Sequence, residues 1–159
     1  MSILIKPELR CNLQCKYCYE QETRHWQKDI GIDVDKVIQR AAEIFQNEHC
    51  GNSICAHGGE PLILPKQELE KILKLAFDKT GQSSIQTNGT LIDDDHILMF
   101  KRYKTGVGIS IDGRWPLNEY RWAGSEEKTK EMTEKTISNI YKLVKEGVDF
   151  SLTFSLSPP

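Results

Sequence analysis

Four times along this chain an amphipathic stretch runs up to a glycine, and each time a short β-branched run follows. The glycines are Gly51, Gly81, Gly106 and Gly147. The runs that follow them are SICAH at 53–57, SSIQT at 83–87, VGISI at 107–111 and VDFSLTFSL at 148–156. A fifth run, ILI at 3–5, opens the series. Between them Val34, Val37, Ile38, Ala41, Ile44 and Phe45 recur at three- and four-residue steps, as do Leu69, Ile72, Leu73 and Ala76. Such spacing puts them on one face of a helix. In the last unit, about 126–146, Met132, Ile137, Ile140, Tyr141 and Val144 form the expected inward face. Pro65 suits a helix start, and Asp93, Asp94 and Asp95 supply a cap and first-turn acids for a helix reaching Tyr103. Strands alternating with helices build a parallel sheet covered by helices, and right-handed crossovers carry every strand's C-terminal end to one edge. The fold class is therefore α/β. A closed eight-unit barrel takes about 250 residues. With 159 residues, the expectation is a partial arrangement of about five β/α units, or a piece of a longer protein.

The edge where the strands end carries the chemistry in such folds. After the first run come Cys11, Cys15 and Cys18, spaced C-x3-C-x2-C, three of the five cysteines within eight positions. After the second comes Gly58-Gly59-Glu60-Pro61, after the third Gln86-Thr87-Asn88-Gly89, and after the fourth Ser110-Ile111-Asp112-Gly113. An odd cysteine number with such crowding argues against a disulfide framework and for metal or redox chemistry in a reducing compartment. Clustered thiolates suit a soft metal centre. Zinc wants a fourth ligand, for which His25, His57, Cys50 and Cys55 are the candidates. A [4Fe–4S] cluster held by only three thiolates keeps one iron open to something that is not protein. His25, His49 and His96 read as surface residues. The formal charge of -2 gives no pull toward nucleic acid or an anionic membrane. No apolar run approaches the roughly 18 residues of a membrane span. A cytoplasmic protein without a signal peptide is expected.

Cys11, Cys15, Tyr17 and Cys18, followed by HGGEPL at 57–62, resemble the radical S-adenosylmethionine superfamily. QTNGTLID at 86–93 and GISIDG at 108–113 are similar to the subgroup containing anaerobic sulfatase-maturating enzymes and peptide-modifying maturases. The resemblance runs from about Ile3 to Leu156. It implies a partial (β/α) barrel with parallel strands, about five of the usual six units being present. Residues 1–159 would form a core domain incomplete at its C-terminal side. No auxiliary-cluster domain is expected, since no cysteine follows Cys55.

The resemblance also implies a reaction. S-adenosylmethionine bound to the open iron is cleaved reductively, and the resulting 5′-deoxyadenosyl radical takes a hydrogen atom from a substrate, here a peptide or protein side chain. Cys11, Cys15 and Cys18 would hold the [4Fe–4S] cluster. Tyr17 would lie near the adenine, Glu60 would accept from the methionine ammonium, Gly58 and Gly59 would admit the ligand, and Pro61 would stiffen the turn. Ser110 would contact the methionine carboxylate or ribose. Asp112 would stand next to Ser110 on the same face as a further cofactor-binding residue, Gln86 and Asn88 would reach ribose or substrate, and Arg121 the ligand carboxylate. Trp115, Tyr120 and Trp122 follow the fourth strand, over the expected mouth. No catalytic base is assigned. An electron donor such as flavodoxin or ferredoxin is implied. Two other readings stand beside this one: a cluster- and ligand-binding module without turnover, and a zinc-stabilised α/β domain.

Overall fold

The computed structural model describes residues 2–21, 33–46 and 53–155. Trp26, His25, His49, Cys50, Gly51 and residues 156–159 lie outside them. The described elements are β1 (Ser2–Glu8), α1 (Val34–Gln46), β2 (Ser53–Gly58), α2 (Lys66–Thr80), β3 (Ser83–Thr87), α3 (Asp94–Arg102), β4 (Thr105–Ser110), α4 (Glu126–Glu146) and β5 (Phe150–Thr153). All five strands run parallel in one sheet whose spatial order equals the chain order, β1-β2-β3-β4-β5. Among the described residues β1 and β5 do not pair, so the sheet is open, as the expected partial barrel requires.

The alternation of side chains along a strand splits the sheet into two faces. Ile54 and Ala56 of β2, Ile85 of β3, and Val107 and Ile109 of β4 face the helices. They join Leu69, Ile72, Leu73 and Ala76 of α2, Ile97 and Phe100 of α3 and Leu143 of α4 in one buried core. The opposite face is polar and small. Leu4 pairs with Cys55, Cys55 with Ser84, and Ser84 with Gly106. Nearer the C-terminal edge Gln86 pairs with Gly108, Gly108 with Ser151, and Ser110 with Thr153. Side chains of modest size on this face leave room for a ligand.

Two helix ends follow the sequence reading. Gly81 and Gly147 take left-handed conformations, φ 78° and 66°, and close α2 and α4. The third does not. Gly106 lies inside β4, and the turn after α3 is made by Lys104 at φ 44°. Asp93 is the N-cap of α3, accepting from His96 N at 3.0 Å. His96 is not a surface residue. Its ring completes the cap and stacks on Phe100, buried in the core.

The largest departure is α4. Tyr141 and Val144, expected inward, are exposed. The buried side chains are Thr129, Thr133, Thr136, Asn139 and Leu143. The inner face is mixed: Ile137 and Ile140 pack against the core as expected, beside Leu143, while the threonines and Asn139 that an apolar pattern passes over are buried through hydrogen bonds. Thr136 Oγ1 donates to Asn88 O at 3.0 Å, and Asn139 Nδ2 to Gly89 O at 2.8 Å. Thr133 Oγ1 accepts from Asn118 Nδ2 at 2.8 Å, and Thr129 Oγ1 from Ala123 N at 3.0 Å. The helix thus grips the loops after β3 and β4 through hydrogen bonds. Neighbouring positions report the orientation. Leu143→Ala is expected to cost about 2–5 kcal/mol in urea unfolding, and Val144→Ala to stay within about 0.5 kcal/mol. Equal effects at the two positions would reject this facing of the helix.

Candidate functional site

The three cysteines sit in the turn-rich segment that leaves β1. That segment is fastened from two sides. On one side Gly59 N donates to Glu8 O and Glu60 N to Arg10 O, both at 2.9 Å. A Cβ at Gly58 would overlap Glu8 O, and one at Gly59 would overlap the carbonyl oxygens of Leu9 and Arg10. The paired glycines are therefore required by the backbone of the cysteine segment, whatever ligand they also admit. On the other side Gln14 N donates to Trp122 O at 2.6 Å and Lys16 N to Tyr120 O at 2.8 Å. The Lys16 ammonium lies 5.1 Å from the Tyr120 ring centroid and 5.4 Å from that of Trp122. These two aromatic residues clasp the cysteine segment.

Glu60 is the hub beneath it. Its side chain is fully buried, and its carboxylate accepts from Leu62 N at 3.0 Å, Thr87 Oγ1 at 2.7 Å and Asn88 N at 2.7 Å. Burial pushes its carboxyl up while the three donors pull the other way, and burial prevails. A carboxylate offers about four lone-pair positions, so roughly one remains. Pro61 is buried and starts a 3-10 turn over Pro61–Ile63 for which Glu60 is the cap.

Asn88 is equally occupied. Its Nδ2 donates to Asn12 Oδ1 at 2.9 Å and lies 3.8 Å from Cys11 Sγ; its Oδ1 accepts from Thr90 N at 3.0 Å and Thr90 Oγ1 at 2.6 Å. Asn12 Nδ2 donates in turn to Thr90 Oγ1 at 2.8 Å. Asn12, Thr90 and Asn118 are site-building residues that sequence reasoning missed. An asparagine between two cysteines carries no signal of its own, and neither does one in the loop after the fourth strand.

Asp112, Arg121 and Tyr17 come together. The Tyr17 hydroxyl donates to Asp112 Oδ2, and Arg121 NH2 to Asp112 Oδ1 at 3.0 Å. Ser155 N also donates to Oδ1, at 2.9 Å. The guanidinium stands 5.5 Å from the Tyr17 ring centroid. Both charged side chains are over nine-tenths buried, and among the described residues Arg121 Nε has no partner. Burial, then the bond to Asp112, pushes the Tyr17 phenol up.

These pieces surround one cavity of about 390 Å³ at the C-terminal edge of the sheet. Cys11, Cys15 and Cys18 line it, as do Tyr17, Gly58, Gly59, Gln86, Asn88, Ser110 and Arg121. Glu60, Pro61 and Asp112 stand behind the wall. His57 also borders the cavity. Its Nδ1 accepts from Gly58 N at 2.6 Å, so the neutral ring carries its proton on Nε2. Burial, then the nearby Lys6 ammonium, lowers its pKa and keeps it neutral. Lys6 is paired with Glu20 and lies over the Tyr19 ring.

The donor set discriminates between metals. Cys11, Cys15 and Cys18 line the cavity, while Cys55 does not. A single zinc ion needs its ligands about 2.0–2.3 Å from one point. Among the described residues no three His, Cys, Asp or Glu side chains are so arranged. An iron–sulfur cluster gives each thiolate an iron of its own, so three cysteines lining one cavity suit a cluster.

Comparison with known proteins agrees with this chemistry. The family model described as Radical SAM superfamily matches residues 5–156. A serine-type anaerobic sulfatase-maturating enzyme of Bacteroides thetaiotaomicron is 31% identical over 159 residues, covering 94% of this chain and 38% of that protein. A cysteine-type anaerobic sulfatase-maturating enzyme of Clostridium perfringens is 35% identical over 124 residues, covering 71% and 33%. The solved structure of native anSMEcpe with bound AdoMet and Cp18Cys peptide superposes with a TM-score of 0.74 at 28% identity, covering 95% of this chain and 42% of that one. The chain thus spans about a third to two-fifths of the length of these three proteins.

Proposed function

This chain belongs to the radical SAM superfamily, and from that premise we propose that residues 1–159 are the core of an enzyme that modifies a peptide or protein side chain. Its cofactors are a [4Fe–4S] cluster and S-adenosylmethionine. Together, when bound, they supply the radical chemistry that removes a hydrogen atom from substrate. The observation that carries the reading is the meeting of three cysteine side chains, the Gly58-Gly59 turn, Ser110 and Arg121 around a single cavity.

In this reading Cys11, Cys15 and Cys18 hold the cluster. Leu13 N, 3.4 Å from Cys11 Sγ, and Asn88 Nδ2 supply N–H groups toward one thiolate. The remaining lone pair of Glu60 accepts from the ligand ammonium, and Arg121, which borders the cavity, pairs with a carboxylate. Ser110 donates to a carboxylate or ribose oxygen. Tyr17, held by Asp112, forms one side of the adenine site. The peptide bound in the similar solved structure supports a peptide substrate. The reading includes a cytoplasmic location, where thiols stay reduced, and a flavodoxin or ferredoxin as electron donor. No helix among the described residues is long and apolar enough to cross a membrane.

Anaerobic reconstitution with iron and sulfide tests the proposal. Iron–sulfur absorption is expected, followed by release of 5′-deoxyadenosine on adding S-adenosylmethionine and a reductant. A cluster without that product would assign a binding role alone, and a colourless protein with stoichiometric zinc would overturn the reading. Glu60→Gln is expected to retain the cluster but weaken S-adenosylmethionine binding about tenfold or more. The substituted amide turns a donor toward either Asn88 N–H or the Leu62 and Thr87 donors, and it cannot match the ligand's charge. Unchanged affinity by calorimetry would remove Glu60 from the ligand site.

A further inference from the structure

Gln86 and Ser110 stand on adjacent strands and face the same side of the sheet. The Gln86 side chain crosses β4 at Gly108 and ends with Nε2 donating to Ser110 Oγ at 2.8 Å. Gly108 makes that crossing possible. It has no positive φ to explain it, but a Cβ there would overlap Gln86 Oε1, with the carboxamide carbon at 3.0 Å. The missing side chain is a lane for the glutamine. Both Gln86 and Ser110 border the cavity beside the cysteine segment.

The polarity of this contact has a chemical result. An amide nitrogen of glutamine only donates, so the Ser110 oxygen receives and its own proton turns away from Gln86. A hydroxyl that accepts one hydrogen bond also becomes a stronger donor in the next. We propose that Gln86 is a positioning residue that, lying in the lane left by Gly108, sets Ser110 as a hydrogen-bond donor to an anionic or ribose oxygen of S-adenosylmethionine. This rests on the function proposed above and gives Gln86 a role other than direct contact with ribose or substrate.

The test uses the full chain with its cluster reconstituted anaerobically, reading S-adenosylmethionine affinity by calorimetry and iron content alongside. Gln86→Leu keeps the bulk and removes the donor; affinity is expected to fall about five- to tenfold. In a Ser110→Ala background the same change is expected to have no effect. Gly108→Ala is expected to weaken binding by a similar factor when Gln86 is present, and by nothing when combined with Gln86→Ala, whose short side chain vacates the lane. Full affinity in Gln86→Leu would overturn the proposal, as would an equal loss with or without the Ser110 hydroxyl. A wild-type chain that holds its cluster but binds no S-adenosylmethionine would refute the underlying reading instead.

Discussion

Cys15→Ala is expected to yield a folded chain whose iron and sulfide content falls to background after anaerobic reconstitution. The fold should survive because the turn around Cys15 is built from main-chain atoms: Cys18 N donates to Cys15 O at 3.1 Å, and Lys16 N to Tyr120 O at 2.8 Å. Neither bond needs the thiol. The cluster should not survive, because each thiolate anchors a separate iron and, among the described residues, the cavity wall brings no fourth cysteine to replace it; Cys55 is absent from the residues that line the cavity. Metal analysis and absorption spectra on the variant, beside a far-UV circular dichroism spectrum, decide the matter. Normal iron content in a folded Cys15→Ala chain would refute the cluster assignment.

Asp112→Ala is expected to cost about 3–5 kcal/mol, the range for stripping one partner from a buried ion pair. The Arg121 guanidinium would be left buried beside the Tyr17 ring with its charge uncompensated, and the amide of Ser155 would lose its acceptor. Asp112→Asn should cost much less. Its carbonyl oxygen still accepts from Arg121 and Ser155, and the Tyr17 hydroxyl can turn to accept from the new amide. Urea unfolding of the two variants gives the comparison. If alanine and asparagine are equally mild, the carboxylate does not tie these elements together. If they are equally severe, charge outweighs geometry at this junction.

The sheet was legible because its evidence is local. Runs such as SSIQT and VGISI, each followed by a polar turn, lie within a residue or two of β3 and β4. The cysteine spacing was legible for the same reason. What escaped were features defined by distant partners. Thr129, Thr133, Thr136 and Asn139 look like a solvated stripe until the loops after β3 and β4 are laid against them. Gly108 reads as an ordinary strand glycine until Gln86 crosses it. Asp112, Arg121 and Tyr17 were each singled out for a ligand; their mutual contacts depend on three segments converging. Glu60 combines both cases. Its motif marks it in the sequence, but its three protein donors come from two separate stretches of chain.

The backbone bonds from Gly59 and Glu60 to Glu8 and Arg10 bear on how the site is loaded. They fix the approach to the thiols with protein atoms alone, so the ordering entropy of that backbone is met during folding. Under the proposed function, the free energy of cluster binding then appears as added thermal resistance of the native state through mass action. Heating the chain with and without reconstituted cluster would read that resistance directly, while the anchoring of the cysteine segment itself belongs to the main chain.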